Sequence, residues 1–110
     1  MNGTLAALTV TIAIEVPIVA AMFPRQRARM ALVALVANAA TNLFLNVGLP
    51  WLGARGAARI VTGEMIALVG EAAAYAWWSR PRSIPRVVVA SALGNLVSFA
   101  AGPWMAAWLR

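Results

Sequence analysis

"EVPIVAAMFPRQRARMALVALVANAAT", residues 15–41, is the stretch that decides the fold of this 110-residue chain. An arginine-rich loop separates two apolar runs, and each run belongs to a segment close to the roughly 20 residues that cross a bilayer as a helix. One carboxylate, Glu15, lies within the first run, and one amide, Asn38, lies within the second. The stretch therefore predicts a transmembrane helical hairpin that carries two polar side chains inside the membrane.

The composition of the whole chain points to the same environment. Hydrophobic residues make up 63% of the chain and charged residues 11%, whereas soluble domains carry about 25% charged residues. A chain this small cannot bury so much apolar surface in a fold that faces water. We expect an all-α polytopic membrane protein that forms a single transmembrane domain over residues 1–110.

Four apolar segments are long enough to cross the bilayer. They cover residues 4–23, 30–49, 60–78 and 87–109. Small residues are frequent in all four, which allows helices to pack closely in lipid. The sequence therefore predicts a bundle of four transmembrane helices.

The arginines predict the orientation of this bundle. Cytoplasmic loops of membrane proteins carry an excess of basic residues. Six arginines fall in the first and third loops, against three on the other side: Arg25, Arg27, Arg29, Arg80, Arg82 and Arg86 against Arg55, Arg59 and Arg110. We expect both hairpin loops in the cytoplasm and both termini outside, in a cell inner membrane.

The first hairpin is repeated later in the chain as "EAAAYAWWSRPRSIPRVVVASALGNLVS", residues 71–98. The aligned polar pairs are Glu15 and Glu71, Asn38 and Asn95, and Thr41 and Ser98. Each repeat unit, residues 1–51 and 52–110, contains two spans, so both copies have the same orientation. The repeat predicts two parallel hairpins related by a pseudo-two-fold axis along the membrane normal.

Four of the repeated polar residues fall at one depth. Glu15, Asn38, Glu71 and Asn95 each lie nine or ten residues from a loop arginine, or roughly 14 Å along a helix. That is close to the midplane of a hydrocarbon core about 30 Å thick. An amide offers both donors and an acceptor to a carboxyl group. We expect these four side chains to form a midplane polar site.

Further polar residues lie on the outer side of this level. Glu64 is two turns outward from Glu71 on one helix face, and two more asparagines follow Asn38 at intervals of four. These residues describe a polar path from the midplane to the outer surface. Asn42 and Asn46 equally fit contacts that hold helices or the subunits of an oligomer together. The supporting residues are Thr41, Ser98, Asn42, Asn46 and Glu64.

The motifs "EVP", "NAATN" and "NLVSFAAG", with the arginine-rich loop and the "GE" and "EA" pairs, resemble those of a widespread, uncharacterised group of small four-span bacterial membrane proteins. The resemblance implies a bacterial four-helix membrane protein and no activity. Small multidrug exporters also have four spans and a glutamate in the first. This chain departs from them in its parallel repeat and in its additional membrane glutamates. It is similar to the small fluoride channels at "NLVSFAAG" but lacks their arginine in the first span.

The residue types that are missing restrict the function. The chain contains no Cys, His, Lys or Asp, which removes thiolate nucleophiles, the usual zinc ligands and the catalytic triads. We expect neither an enzyme nor a cofactor or metal centre. The arginines lie in short loops between apolar runs, so we expect no binding of nucleic acid.

Two functions stay open at this point. The first is a cation- or proton-coupled transporter or channel unit, surrounded by the lipid bilayer and assembled as a homo-oligomer. The second is an accessory or assembly subunit of a larger membrane complex. In that case the Glu and Asn layer only packs the helices together, and an outer face binds a membrane partner protein.

Overall fold

The computed structural model describes residues 3–53, 56–80 and 83–108, and these residues form only helices and their connections. The predicted all-α class is confirmed. Arg55, Arg82 and Arg110, which enter the arginine count, lie outside the described residues. In chain order the elements are α1 (Gly3–Met22), α2 (Arg27–Leu43), a π-helical turn (Phe44–Gly48), α3 (Leu49–Trp51), α4 (Gly56–Trp78) and α5 (Ile84–Trp108).

Among the described residues, two helical segments are long and apolar enough to cross a membrane, Arg27–Trp51 and Ile84–Ala101. They correspond to the second and fourth predicted spans, and α1 supplies a shorter apolar stretch, Leu8–Met22. Only 17% and 22% of the two long windows are buried. The core helix of a soluble protein would be mostly buried, so this exposure is compatible with a membrane protein.

The helices pack in a closed order. Helix α1 packs against α2 and α5, and α4 packs against the same two neighbours. Helices α1 and α4 therefore lie diagonally opposite each other, as do α2 and α5. The backbone N–H of Arg80 donates a hydrogen bond to Gln26 Oε1 (2.7 Å). This contact joins the α1–α2 connection to the α4–α5 connection, so both connections lie at the same end of the bundle.

The inward faces of the helices follow a spacing of four residues. This spacing is close to the 3.6 residues of a helical turn, so one stripe of each helix faces the others. The stripe is apolar near the connections and becomes polar halfway along the helices. The buried residues are Met30, Ala34, Asn38 and Asn42 on α2, and Gly63, Ala67, Glu71 and Tyr75 on α4.

The apolar half of the interior closes the connection end of the bundle. Its buried members come from all four long helices, and this apolar cluster consists of Val19, Phe23, Met30, Ala34, Tyr75, Val87 and Ala90. A smaller buried pair, Ala6 and Val10, lies toward the other end of α1. Between the two lie the polar side chains, which are thus held at the middle of the bundle by apolar packing on both sides.

The π-helical turn after α2 is a feature that the sequence interpretation did not predict. Pro50 has no N–H, so the carbonyl of Asn46 loses its α-helical donor. Asn46 Nδ2 donates to both the backbone oxygen and Oδ1 of Asn42 (2.9 Å each). The Asn46 side chain thereby provides a donor to the carbonyl of Asn42, one turn earlier, where the α-helix widens into the π-helical turn. Such turns are frequent at functional sites, and this one lies beside the predicted polar path.

Candidate functional site

A cluster of polar side chains occupies the middle of the bundle. Glu15, Asn38 and Glu71 are 1%, 0% and 1% exposed, and Asn95 is half-buried. Each comes from a different long helix, so the bundle contributes one carboxyl or amide group per helix to this level. We call these four residues the polar cluster. The side chains of Glu15, Asn38 and Glu71 face the interior of the bundle, and that of Asn95 also borders a cleft on its outside.

Glu71 is the most completely hydrogen-bonded member of the polar cluster. Asn95 Nδ2 donates to Glu71 Oε1 (2.6 Å), and Thr41 Oγ1 donates to Glu71 Oε2 (2.8 Å). The same Asn95 nitrogen donates to the Ser91 backbone oxygen (2.8 Å). Glu71 on α4 is therefore tied to both of its neighbours, α2 and α5, and each of its oxygens has a donor.

Asn38 has its donors engaged but its acceptor open. Its Nδ2 donates to the Ala34 backbone oxygen (2.7 Å) and to the hydroxyl of Tyr75 (3.3 Å). Its Oδ1 is buried and has no hydrogen-bond partner among the described residues. Tyr75 was absent from the predicted site. Its position four residues after Glu71, on the same helix face, is the signal that could have identified it.

Glu15 differs sharply from Glu71. Neither of its carboxyl oxygens has a hydrogen-bond partner among the described residues, although the side chain is buried. The carboxyl group lies against Gly94 of α5: a Cβ atom built on Gly94 would be 3.0 Å from Glu15 Oε1 and 3.5 Å from Cδ. Gly94, which was not predicted, makes room for this carboxyl group because it has no side chain.

Glu15 and Asn38 lie at one level of the bundle. Glu15 is eight residues before Phe23, and Asn38 is eight residues after Met30; Phe23 and Met30 share the apolar cluster. Equal distances from this packed level place Glu15 and Asn38 at the same height. Glu15 also lies within electrostatic range of Glu71. The spacing therefore places Glu15 and Asn38 together, while hydrogen bonds join Glu71 to Asn95 and to Thr41, one turn outward from Asn38.

A cleft of about 400 Å³ opens between α2 and α4 on the outer side of the polar cluster. Its polar lining comes from Asn42, Asn46, Glu64 and Arg59. Three of these were expected along an outward path, whereas Arg59 entered only the count of loop charges. A second cleft of about 550 Å³ is lined by Glu64 and Asn95 together. Half-buried Glu64 thus borders both clefts, and one of them reaches the polar cluster.

The remaining predicted residues fall into two groups. Thr41 is brought into the cluster through its bond to Glu71. Ser98 is half-buried on α5. It does not bond Glu15 in the way that Thr41 bonds Glu71, because the Glu15 oxygens accept no hydrogen bond from the described residues. The predicted repeat pairs Thr41 with Ser98, but among the described residues only Thr41 donates a hydrogen bond to a carboxylate, that of Glu71.

The chemistry available at the polar cluster is that of oxygen ligands. Three acceptor oxygens, two on Glu15 and one on Asn38, have no donor in the part of the chain that the structure describes. Carboxylate and amide oxygens suit hard cations, and a carboxyl group also exchanges protons. No group of three or more His, Cys, Asp or Glu side chains that could hold a metal ion lies in the described part of the chain.

No protein-family model matches the chain, and neither a curated protein nor a solved structure matches it. The resemblance to small four-span bacterial membrane proteins therefore stays a prediction. Because a fold alone does not specify a function, the function must be inferred from the side chains of the polar cluster and of the clefts beside it.

The Asn38–Tyr75 hydrogen bond gives a first prediction. Tyr75→Phe keeps the buried ring and removes the hydroxyl that accepts from Asn38 Nδ2. We expect the free energy of unfolding to fall by about 0.5 to 1.5 kcal/mol, the usual contribution of one hydrogen bond. Reversible unfolding in detergent measures it, with exposed Trp77→Phe as the control that should change little. Equal stability of Tyr75→Phe and the wild-type protein would contradict the prediction.

Proposed function

We propose that this chain is a small bacterial inner-membrane protein with four transmembrane helices, built as two hairpins about a pseudo-two-fold axis, with both connections in the cytoplasm. Large apolar side chains on the outer faces support a lipid environment, Leu32, Val36, Val69 and Leu96 among them. In the helix order, α1 and α4 have the same two neighbours, as a two-fold relation requires. The shared position of the two connections supports the parallel orientation of the hairpins.

We infer that the polar cluster binds a proton or a small cation and moves it across the membrane. The observation that carries this proposal is the set of buried acceptor oxygens without donors, on Glu15 and Asn38. Buried polar atoms in proteins are almost always hydrogen-bonded, and each unsatisfied one costs about 1 to 3 kcal/mol. A proton on Glu15, or a cation shared by these oxygens, removes that cost. Carboxylates within membranes commonly mark ion and proton pathways.

The clefts on the outer side supply the approach to this site. Glu64 lines both, and Asn95 connects one of them to Glu71 through a hydrogen bond of 2.6 Å. An ion that enters beside Glu64 would meet carboxylate and amide oxygens along its way inward. Four helices enclose little space, so we propose that a homo-oligomer completes the pathway on the cytoplasmic side.

Glu71 favours a second candidate, an accessory or assembly subunit in which the polar layer packs the helices. Both Glu71 oxygens accept hydrogen bonds from neighbouring helices, which is how polar side chains hold membrane helices together. This account explains Glu71 well. It leaves the open oxygens of Glu15 and Asn38 without a purpose, and for that reason we rank it second. Neither candidate assigns catalysis to the chain.

Ion flux through liposomes tests the proposed function. Purified protein is reconstituted, and proton, Na⁺ and K⁺ fluxes are compared for the wild type, Glu15→Gln and Glu71→Gln. We expect flux of one of these ions in the wild type and a loss of at least about tenfold in each variant, since each variant removes a charge that a conducted cation requires.

Thr62→Val is the matched control. Thr62 is exposed on α4, and valine removes its hydroxyl group while keeping a side chain of similar size. This variant should retain wild-type flux. If the wild type moves none of the three ions and purifies with another membrane protein, the accessory-subunit account replaces transport.

A further inference from the structure

A groove near the connection end of the bundle has no part in the proposed transport site. It lies between α2 and α4 and has a volume of about 610 Å³, within the 300 to 1,000 Å³ or so that is typical of small-molecule sites. Its walls are apolar and its end is basic. Among the residues that line it are Val36, Ala37, Ala74, Trp78, Arg29 and Arg80.

The end of the bundle beside this groove is strongly basic. The described arginines there are Arg25, Arg27, Arg29, Arg80 and Arg86, in or next to the two connections. The chain has only three side-chain carboxylates, and all three lie further along the helices, at Glu15, Glu64 and Glu71. The arginines at this end therefore have no carboxylate of the chain's own side chains beside them, and the groove opens into a positive field.

Arg80 is held in place at the end of the groove. Its Nη1 donates to the backbone oxygens of Trp77 (3.0 Å) and Ser79 (2.8 Å). A guanidinium group has five N–H donors in a rigid fork. The N–H groups on Nε and Nη2 donate to none of the described residues, so they can face a ligand from a fixed position. Guanidinium groups bind phosphate with good geometry, which makes a phosphate group the natural occupant at this end.

We propose that this groove binds one anionic phospholipid. Its phosphate lies between Arg29 and Arg80, and an acyl chain follows the apolar walls past Val36 and Ala37. A free polar molecule would gain nothing from these walls, and an apolar helix of a partner would gain nothing from the two arginines. Exposed Trp78 lies at the level where tryptophans meet lipid headgroups. The inference depends on the membrane placement proposed above and not on ion transport.

Native mass spectrometry of the purified protein in mild detergent tests the proposal. Dioleoyl-phosphatidylglycerol is titrated against dioleoyl-phosphatidylcholine, which has the same acyl chains and no net charge. We expect one phosphatidylglycerol to stay bound under conditions that remove phosphatidylcholine. Arg29→Gln combined with Arg80→Gln should weaken binding by about thirtyfold, since each basic side chain near an anionic headgroup contributes about fivefold.

Two further variants separate the parts of the site. Ala37→Phe fills the groove without changing the charge and should also displace the lipid. Arg86→Gln removes a charge at the same end but outside the groove and should bind as the wild type does. Equal retention of the two lipids, or an equal loss in Arg86→Gln, would overturn the proposal. If inorganic phosphate alone displaces the lipid, the groove is a simple anion site, and this result would also overturn the proposal.

Flotation of the protein with liposomes, measured first, reports membrane insertion by itself. A protein that floats but binds no phosphatidylglycerol refutes the lipid site and leaves the proposed function standing. A protein that does not float refutes the membrane placement on which both rest.

Discussion

Glu71→Met is expected to lower the free energy of unfolding by about 1 to 3 kcal/mol, the largest loss from one substitution in the polar cluster. Methionine fills a similar volume but accepts no strong hydrogen bond. Thr41 Oγ1 and Asn95 Nδ2 would lose the acceptor to which they now donate. Two interhelical contacts disappear with one side chain, because Glu71 joins α4 to both α2 and α5.

Unfolding in detergent, followed by circular dichroism, measures this loss. Glu64→Met is the matched control: it removes a carboxylate from the same helix, but a half-buried one, and should cost less. A double-mutant cycle with Thr41→Val tests the mechanism. Once Glu71 is methionine, Thr41→Val should cost almost nothing further. A Glu71→Met protein as stable as the wild type would show that these bonds contribute no net stability.

The height of a polar residue along its helix can be predicted from the sequence, because it depends only on the number of residues from the loop. Helical rise is constant, so equal numbers of residues from the loops place Glu15 and Asn38 at one height. The length of the apolar segments likewise predicts helices, because about 20 apolar residues cross a bilayer as a helix. Neither step requires knowledge of side-chain packing. This is why the all-α class followed from the pattern alone, and why counting places Glu15 and Asn38 at a common height.

The partners of these residues depend on their neighbours, and a repeat does not specify them. Tyr75, four residues after Glu71, gives Asn38 a hydroxyl group to bond. The equivalent position after Glu15 is Val19, which offers none. In the same way Gly94 precedes Asn95, whereas Ala37 precedes Asn38. The carboxyl groups of Glu15 and Glu71 therefore have different surroundings, although the predicted repeat aligns the two residues.

The π-helical turn escaped prediction for a related reason. It lies just before Pro50, which gives the Asn46 carbonyl no backbone donor, and it contains Asn46, whose side chain donates to the Asn42 backbone oxygen. Predicting helices from sequence spacing treats every residue as the same rotation about the helix axis. A local π-helical turn, in which the rotation is smaller, is therefore missed.

Glu15→Met is expected to abolish ion flux and to leave the stability of the protein unchanged or higher. Glu15 makes no hydrogen bond to the described residues that methionine would break. Removing its carboxyl group relieves the cost of a buried polar group without a partner, about 1 to 3 kcal/mol. Methionine is unbranched and adapts to irregular space, so it can follow the path of the glutamate past Gly94. If Glu15 serves transport alone, its loss costs function and not folding.

The two methionine variants therefore separate the roles of two carboxylates that the predicted repeat pairs with each other. Flux and unfolding are measured on the same preparations of Glu15→Met and Glu71→Met. A stable, inactive Glu15→Met protein beside a destabilised Glu71→Met protein assigns the binding site to Glu15 and the helix packing to Glu71. Destabilisation of Glu15→Met by as much as Glu71→Met would mean that Glu15 has partners in the membrane-embedded protein, and the argument from its open oxygens would then fail. Wild-type flux in a folded Glu15→Met protein would exclude Glu15 from the pathway, because methionine can neither carry a proton nor neutralise a cation.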